Sequence, residues 1–248
     1  MKTAIVTGAT SGIGRAAAIA LAGEGCWVLA CGRDAGRGKE VRDRLGERGK
    51  GDFMSADLAE DGVHEAIVER ATSETGRLDV LVNSAGVHFL ASIDHLEREP
   101  LDRLMAINLR GAMLMCRAAL PALRESGGGV VINVASEAGL VAVPNQVAYN
   151  VSKAGMIMLS KSLAVDHAGD NVRAISICPG TTHTPLVDAA IASAEDPEKH
   201  LEWLSSSRPA KRLGTKDEIA RAIVFAASEQ VSYMTGSEIV IDGGYTAV

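Results

Sequence analysis

Seven short apolar runs, separated by stretches with helical spacing, constrain this chain more than anything else in its sequence. The runs lie at residues 3–6, 26–31, 52–58, 78–82, 130–134, 172–178 and 238–242. Behind the first, Ile13, Ala17, Ala20 and Leu21 repeat at the spacing of one helical face. Further helices are predicted at 35–47, at 60–75 (Val63, Ile67, Val68 and Ala71 on one face), at 100–124, at 149–167 and at 217–228. Pro100 suits the first turn of the fourth, and Thr215 with Glu218 reads as a capping box opening the last. Strands alternating with helices in this way imply one parallel sheet covered on both faces. The expectation is therefore an α/β fold, a doubly wound parallel sheet of about seven strands, built as a single domain over residues 1–248. Residues 184–212 lack a strand and read as a partly helical insert able to act as a lid.

Composition narrows the function. The chain has 248 residues, 47% hydrophobic but only 3% aromatic, so its core must be built mainly from Ala, Val, Leu and Ile. Twenty-five basic against thirty-one acidic residues leave a net charge of −6 with no basic block, which argues against nucleic acid as a partner. Cys26, Cys31, Cys116 and Cys178 lie in or beside apolar runs without metal-type spacing; they read as buried thiols in a reducing compartment, and no metal site is expected. No signal-peptide layout or membrane-spanning run is seen, so the expectation is a soluble cytoplasmic protein.

In a parallel sheet, ligands bind beyond the carboxyl ends of the strands. Four groups of suggestive residues fall at such ends: 8–14, 83–86, Ser136 and 179–184. The first, Gly8-Ala9-Thr10-Ser11-Gly12-Ile13-Gly14, is a glycine-rich turn between a strand and a helix. Its glycines let backbone N–H groups approach an anion that the helix dipole also favours. Its spacing is G-x-x-x-G-x-G, unlike the G-x-G-x-x-G fingerprint. After the second strand come Gly32, Arg33 and Asp34; an acid near there suits a ribose hydroxyl, an arginine a 2′-phosphate. Tyr149 and Lys153, four apart, share a face if their segment is helical. An ammonium beside a phenol pulls its pKa toward the working range, and Ser136, at a strand end upstream, could hydrogen-bond the same substrate oxygen.

Together these residues resemble the short-chain dehydrogenase/reductase family across nearly the whole chain. The matching positions are Thr7, Gly8, Gly12, Ile13 and Gly14; Asn83 to Gly86, with Ser84 where the family usually has asparagine; Asn108, Ser136, Tyr149 and Lys153; and Pro179, Gly180 and Thr184. The resemblance implies a Rossmann-like fold and an NAD(P)-dependent oxidoreductase interconverting a secondary alcohol and a ketone. It makes Asn108, Ser136, Tyr149 and Lys153 a catalytic tetrad, with Tyr149 as acid/base, Lys153 lowering its pKa and Asn108 anchoring a water. Gly8, Ser11, Gly12, Ile13, Gly14, Arg33, Asp57, Leu58, Asn83, Ala85, Gly86, Pro179, Gly180, Thr182 and Thr184 would line the cofactor. Arg33 and the absence of an acid at Gly32 favour NADP(H) over NAD(H). Substrate contacts are expected from His88, Glu137, Asn145, Gln146 and His183, a polar set suiting a sugar, polyol or hydroxy acid. A 3-oxoacyl-carrier-protein reductase is the alternative, and a non-catalytic dinucleotide-binding regulator a more remote one. Nucleotide-sugar epimerases share Tyr-x-x-x-Lys but carry a different glycine turn and a larger C-terminal domain. A homotetramer or homodimer is expected through the helices at 100–124 and 149–167, with Met105, Leu109, Met113 and Met115 as the surplus apolar residues.

Overall fold

A strand with aliphatic side chains on both faces needs a helical layer on each side. That requirement is met in the computed structural model of the protein, which describes residues 1–47 and 50–248. The strands are β1 (Thr3–Val6), β2 (Trp27–Gly32), β3 (Gly51–Ser55), β4 (Val80–Asn83), β5 (Gly129–Val134), β6 (Val172–Pro179), β7 (Thr182–His183), β8 (Gly214–Thr215) and β9 (Glu238–Ile241). Seven form one sheet in the order β3-β2-β1-β4-β5-β6-β9, every neighbouring pair parallel. The strand order reverses between β1 and β4, where the exits of two adjacent strands diverge and leave a crevice.

The helices are α1 (Gly12–Gly23), α2 (Ala35–Gly46), α3 (Val63–Thr75), α4 (Arg98–Met105), α5 (Ala112–Glu125), α6 (Val147–His167), α7 (Pro185–Ala192), α8 (Pro197–Ser206) and α9 (Lys216–Ala227). Period-two alternation sorts the strand residues into two cores. Val6, Val28, Val82, Ile132 and Ile177 face one side with Leu21, Ile219 and Ile223. Ile5, Leu29, Leu81 and Val131 face the other with Ile67, Met115 and Leu123. All four cysteines are buried free thiols.

Two expectations are corrected. The helix expected at 100–124 runs unbroken from Arg98 to Glu125 but is not α-helical throughout: residues Ala106–Gly111 form a π-helical stretch between α4 and α5. The stretch holds Asn108 and Gly111, both weak helix formers, and Asn108 at its centre is wholly buried. Met115 is also wholly buried in the core rather than surplus at the surface, whereas Met113 is half-exposed. The insert is helical as α7 and α8, closed at its base by the short parallel pair β7–β8, in which Thr182 faces Gly214 and His183 faces Thr215. The capping box at Thr215 and Glu218 opens α9.

Candidate active site

The working residues start from α6, whose attachment to the sheet is polar as well as apolar. Asn83 on β4 donates to Asn133 on β5 at 2.9 Å, and Asn133 to Ser160 on α6 at 2.9 Å. Ser160 in turn accepts from Ser176 on β6 at 2.8 Å. All four side chains are buried, Asn83 Oδ1 alone among their polar atoms being left without a partner, and a buried hydrogen-bonded chain of this kind holds a helix in one seating. Tyr149 and Lys153, one turn apart on this helix, both face a cavity of about 1120 Å³. Lys153 is buried, with Nζ donating to Val134 O at 2.8 Å and lying 5.5 Å from the Tyr149 ring centroid. Ser136, just past β5, accepts from Ala138 N at 3.1 Å, which leaves its own hydroxyl proton free to be directed elsewhere. His88 meets the Tyr149 ring edge-on, with centroids 4.8 Å apart.

The electrostatics differ from the expected acidified tyrosine. Burial pushes the Tyr149 phenol up to about 12; a hydrogen bond with Ser136 draws it back, and the charge of Glu137 raises it further. Burial likewise pushes the Lys153 ammonium down to about 8. Lys153 gives one of its three N–H donors to that carbonyl, and Ser136 is the group that draws the phenol's pKa down here.

The other end of the cavity is made by the glycine turn. Gly8 and Gly12 adopt φ +67° and +54°, a region open chiefly to glycine. A Cβ on Gly8 would lie 2.7 Å from the Ala85 backbone, and one on Gly14 2.4 Å from Gly8 O. Thr7 ties the two strand exits together, accepting from Ser84 N at 3.1 Å and Ala85 N at 3.3 Å. The Ser11 side chain makes no cap bond on α1 and no acid occupies its first turn, so an anion meets free N–H groups and a favourable dipole.

A family model described as enoyl-(acyl carrier protein) reductase matches residues 8–246. An uncharacterized oxidoreductase of Thermotoga maritima is 41% identical over 100% of this chain and 98% of its own. A D-threitol dehydrogenase of Mycolicibacterium smegmatis is 39% identical over 99% of this chain and 93% of its own. The crystal structure of levodione reductase superposes with a TM-score of 0.95 at 30% identity, covering 100% of this chain and 98% of that one. The chain belongs to the short-chain dehydrogenase/reductase family. It is an oxidoreductase that interconverts a secondary alcohol and a ketone, with a nicotinamide dinucleotide as the family's cofactor.

The residues of this chain fit such a cofactor. The cavity is lined by Gly8, Ser11, Gly12, Ile13, Gly14, Arg33, Asp57, Leu58, Ala85, Gly86, Pro179, Gly180, Thr182 and Thr184, running from the glycine turn to Tyr149 and Lys153. Two expected residues sit behind it. Asn83 is in the buried amide chain, and Asn108 uses its amide on Val87, accepting from N at 2.8 Å and donating to O at 2.9 Å. Of the expected substrate contacts, His88, Glu137, Asn145 and Gln146 line the cavity. His183 does not: β7 turns Thr182 inward and His183 outward, where it meets Asp188 on α7 at 3.1 Å. Arg208, Trp203 and Tyr245 line the cavity as well and were missed. Tyr245 follows the exit of β9, a position the strand-end rule could have flagged; Trp203 and Arg208 lie in the insert, where no strand end singles them out. Among the described residues no helix is long and apolar enough to cross a membrane, and no cluster is placed to hold a metal ion.

Gly86 gives a test of cofactor seating. A Cβ there would meet Asn108 Oδ1 at 3.5 Å and Lys153 Nζ at 3.8 Å, ordinary contacts, so the fold accepts a methyl group that intrudes into the cavity. Gly86→Ala is expected to leave the melting temperature unchanged and weaken NAD(P)H binding at least about tenfold. Unchanged affinity by fluorescence titration would remove Gly86 from the cofactor site.

Proposed function

We propose that this enzyme acts on a small hydroxylated or keto compound such as a sugar, polyol or hydroxy acid, with Tyr149 as its acid/base and NADP(H) preferred. The observation that carries this is the meeting of Ser136, Tyr149 and Lys153 with His88 and Gln146 at one end of the cavity. The threitol dehydrogenase among the relatives supports a polyol. When bound, the nicotinamide cofactor supplies or accepts the hydride. Ser136 donates to the substrate oxygen and so orients it, while Tyr149 Oη gives that oxygen a proton in reduction and takes it in oxidation. Lys153 adds positive charge beneath them and faces the space beside Gly86 where a ribose would lie. Asn108, its side chain committed to Val87, holds the loop over Gly86. Burial keeps His88 below its usual pKa, a neutral hydrogen-bonding partner for the substrate.

A second reading, a 3-oxoacyl-carrier-protein reductase, is favoured by the acyl-carrier-protein substrate in the description of the matching family model and by apolar residues at the cavity rim. Leu90 is 68% exposed, Trp203 61% and Leu186 50%. Cofactor oxidation with acetoacetyl thioesters against reduction with D-threitol and 3-hydroxybutyrate separates the two.

The cofactor preference rests on three neighbours. A side chain at Gly32 would lie 2.7 Å from Thr10 Cγ2, so no acid fits there. Asp34 is committed to α2, accepting from Arg37 N at 2.9 Å and from Arg37 Nε at 2.6 Å. Arg33 is exposed at the same cavity, and Asp57, the other acid near it, is paired with Arg103 at 2.6 Å. Assembly into a homodimer or homotetramer is part of the reading; Met113 on α5 and Val151, Met158 and Val165 on α6 are 50–82% exposed. So is a cytoplasmic location, supported by four unpaired buried thiols.

Three outcomes are expected. Tyr149→Phe should remove nearly all turnover while cofactor still binds, and wild-type alcohol oxidation should climb with pH through the neutral range, where a phenol pushed up to about 12 is still mostly protonated. The phenol is a base only when deprotonated, and that fraction grows about tenfold per pH unit below its pKa. Retention of more than about a tenth of kcat, under ~1.4 kcal/mol of barrier, or an oxidation rate flat in pH, would overturn the assignment. In kcat/KM, NADP(H) should exceed NAD(H) by roughly tenfold to hundredfold, the ~1.5–3 kcal/mol of one charged contact. Arg33→Ala should erase the difference; a ratio that favours NAD(H) and ignores the substitution contradicts it. Light scattering should give a multiple of 25.8 kDa at micromolar concentration, and the monomer mass would refute assembly.

A further inference from the structure

Arg208 is an unexpected residue to find beside a proton-transfer site. It follows α8 directly, only 4% exposed, and its guanidinium reaches four parts of the chain. Nη2 donates to Glu137 Oε1 at 2.6 Å and to Thr181 Oγ1 just past β6. Nη1 donates to Leu204 O at 2.6 Å and Ser207 Oγ at 2.9 Å, at the C-terminal end of the lid. The guanidinium also lies 4.9 Å from the centroid of the Tyr245 ring. Glu137 is the neighbour of Ser136 in sequence, 5% exposed, and packs against Gly180, where a Cβ would lie 2.7 Å from Oε2. Isolated buried charges of this kind are costly, so each partner requires the other. The cost falls on the one turn that holds Ser136.

Resting on the assignment of Ser136 and Tyr149 above, we propose that Arg208 is a positioning residue for the proton transfer. Through Glu137 it fixes the turn that presents Ser136 to Tyr149, and through Leu204 and Ser207 it fastens that turn to the lid. Lid packing and Ser136 placement thereby become one variable. The groups facing Tyr149 are His88, Lys153 and Glu137; those facing Glu137 are Arg208 and Asp242. The charge of Glu137 raises the phenol's pKa, so the pair also bears on the ionisation of Tyr149.

The experiment compares the wild type with Arg208→Met, Arg208→Lys, Glu137→Gln and the double variant Glu137→Gln/Arg208→Met. Turnover is measured with D-threitol, 3-hydroxybutyrate and acetoacetyl thioester, coenzyme affinity by NADPH fluorescence, and Tyr149 ionisation by tyrosinate absorbance against Tyr149→Phe. The single variants should lose at least about tenfold in kcat with NADPH affinity unchanged, and lysine, lacking the two-pronged fork, should restore only part. The double variant leaves no lone buried charge and should regain the melting temperature without regaining kcat; it decides the matter if Arg208→Met fails to fold. In Glu137→Gln the tyrosinate midpoint should move to lower pH. Wild-type kcat in the folded double variant, or an unmoved midpoint, overturns the proposal. Turnover surviving Tyr149→Phe would instead overturn the assignment on which it rests, and a chain inactive on every probe is still decided by the midpoint.

Discussion

Parallel pairing of β4, β5 and β6 determines where the chemistry sits, because it brings every strand exit to the same edge of the sheet. Loops leaving β1 and β4 diverge there, and the exit of β5 delivers Ser136 while that of β6 delivers Thr181 and Thr182. No single segment contains the site. It exists only as long as the register holds, with Asn83 opposite Asn133 and Asn133 opposite Ser176. Those three side chains, with Ser160, are bonded across the sheet to α6, so the register and the seating of Tyr149 are fixed by the same buried chain.

That chain explains how a helix can present a phenol and an ammonium with little freedom. Hydrogen bonds in a water-excluded layer are stronger than at a surface, and leaving one unmade is costly. Lys153 extends the pattern by donating to Val134 O, with its ammonium 5.5 Å from the centroid of the phenol ring. The result is a tyrosine whose ionisation is governed by burial, Ser136 and Glu137.

The fold was legible because aliphatic runs and helical spacing report burial directly, and the strand exits followed from it. The glycine turn and the Tyr149–Lys153 spacing were legible for the same reason: backbone room and helical phase are local properties. What escaped depends on partners distant in sequence. Asn83 belongs to a polar layer that only the assembled sheet creates, and His183 turns outward because β7 pairs with β8. Arg208, at the end of a serine run, reads as surface until Glu137, 71 residues earlier, is placed against it. The acidifying effect expected of Lys153 follows from spacing alone; the burial that raises the Tyr149 phenol comes from elements that spacing does not show.

The π-helical stretch at Ala106–Gly111 splices two helices that serve different neighbours. Ahead of it α4 packs against α6; behind it α5 packs against α3. One extra residue in a turn advances the helical phase by roughly 100° relative to an uninterrupted helix. The bulge is thus a rotational offset written into the chain, and Asn108 rides on it, turned inward to hold the loop of Val87. A chain that lost one residue there would keep its helix but swing the stripe of Met115, Ala119 and Leu123 away from α3. The spacing of residues along this helix, as much as their identity, keeps one half on the site and the other in the core.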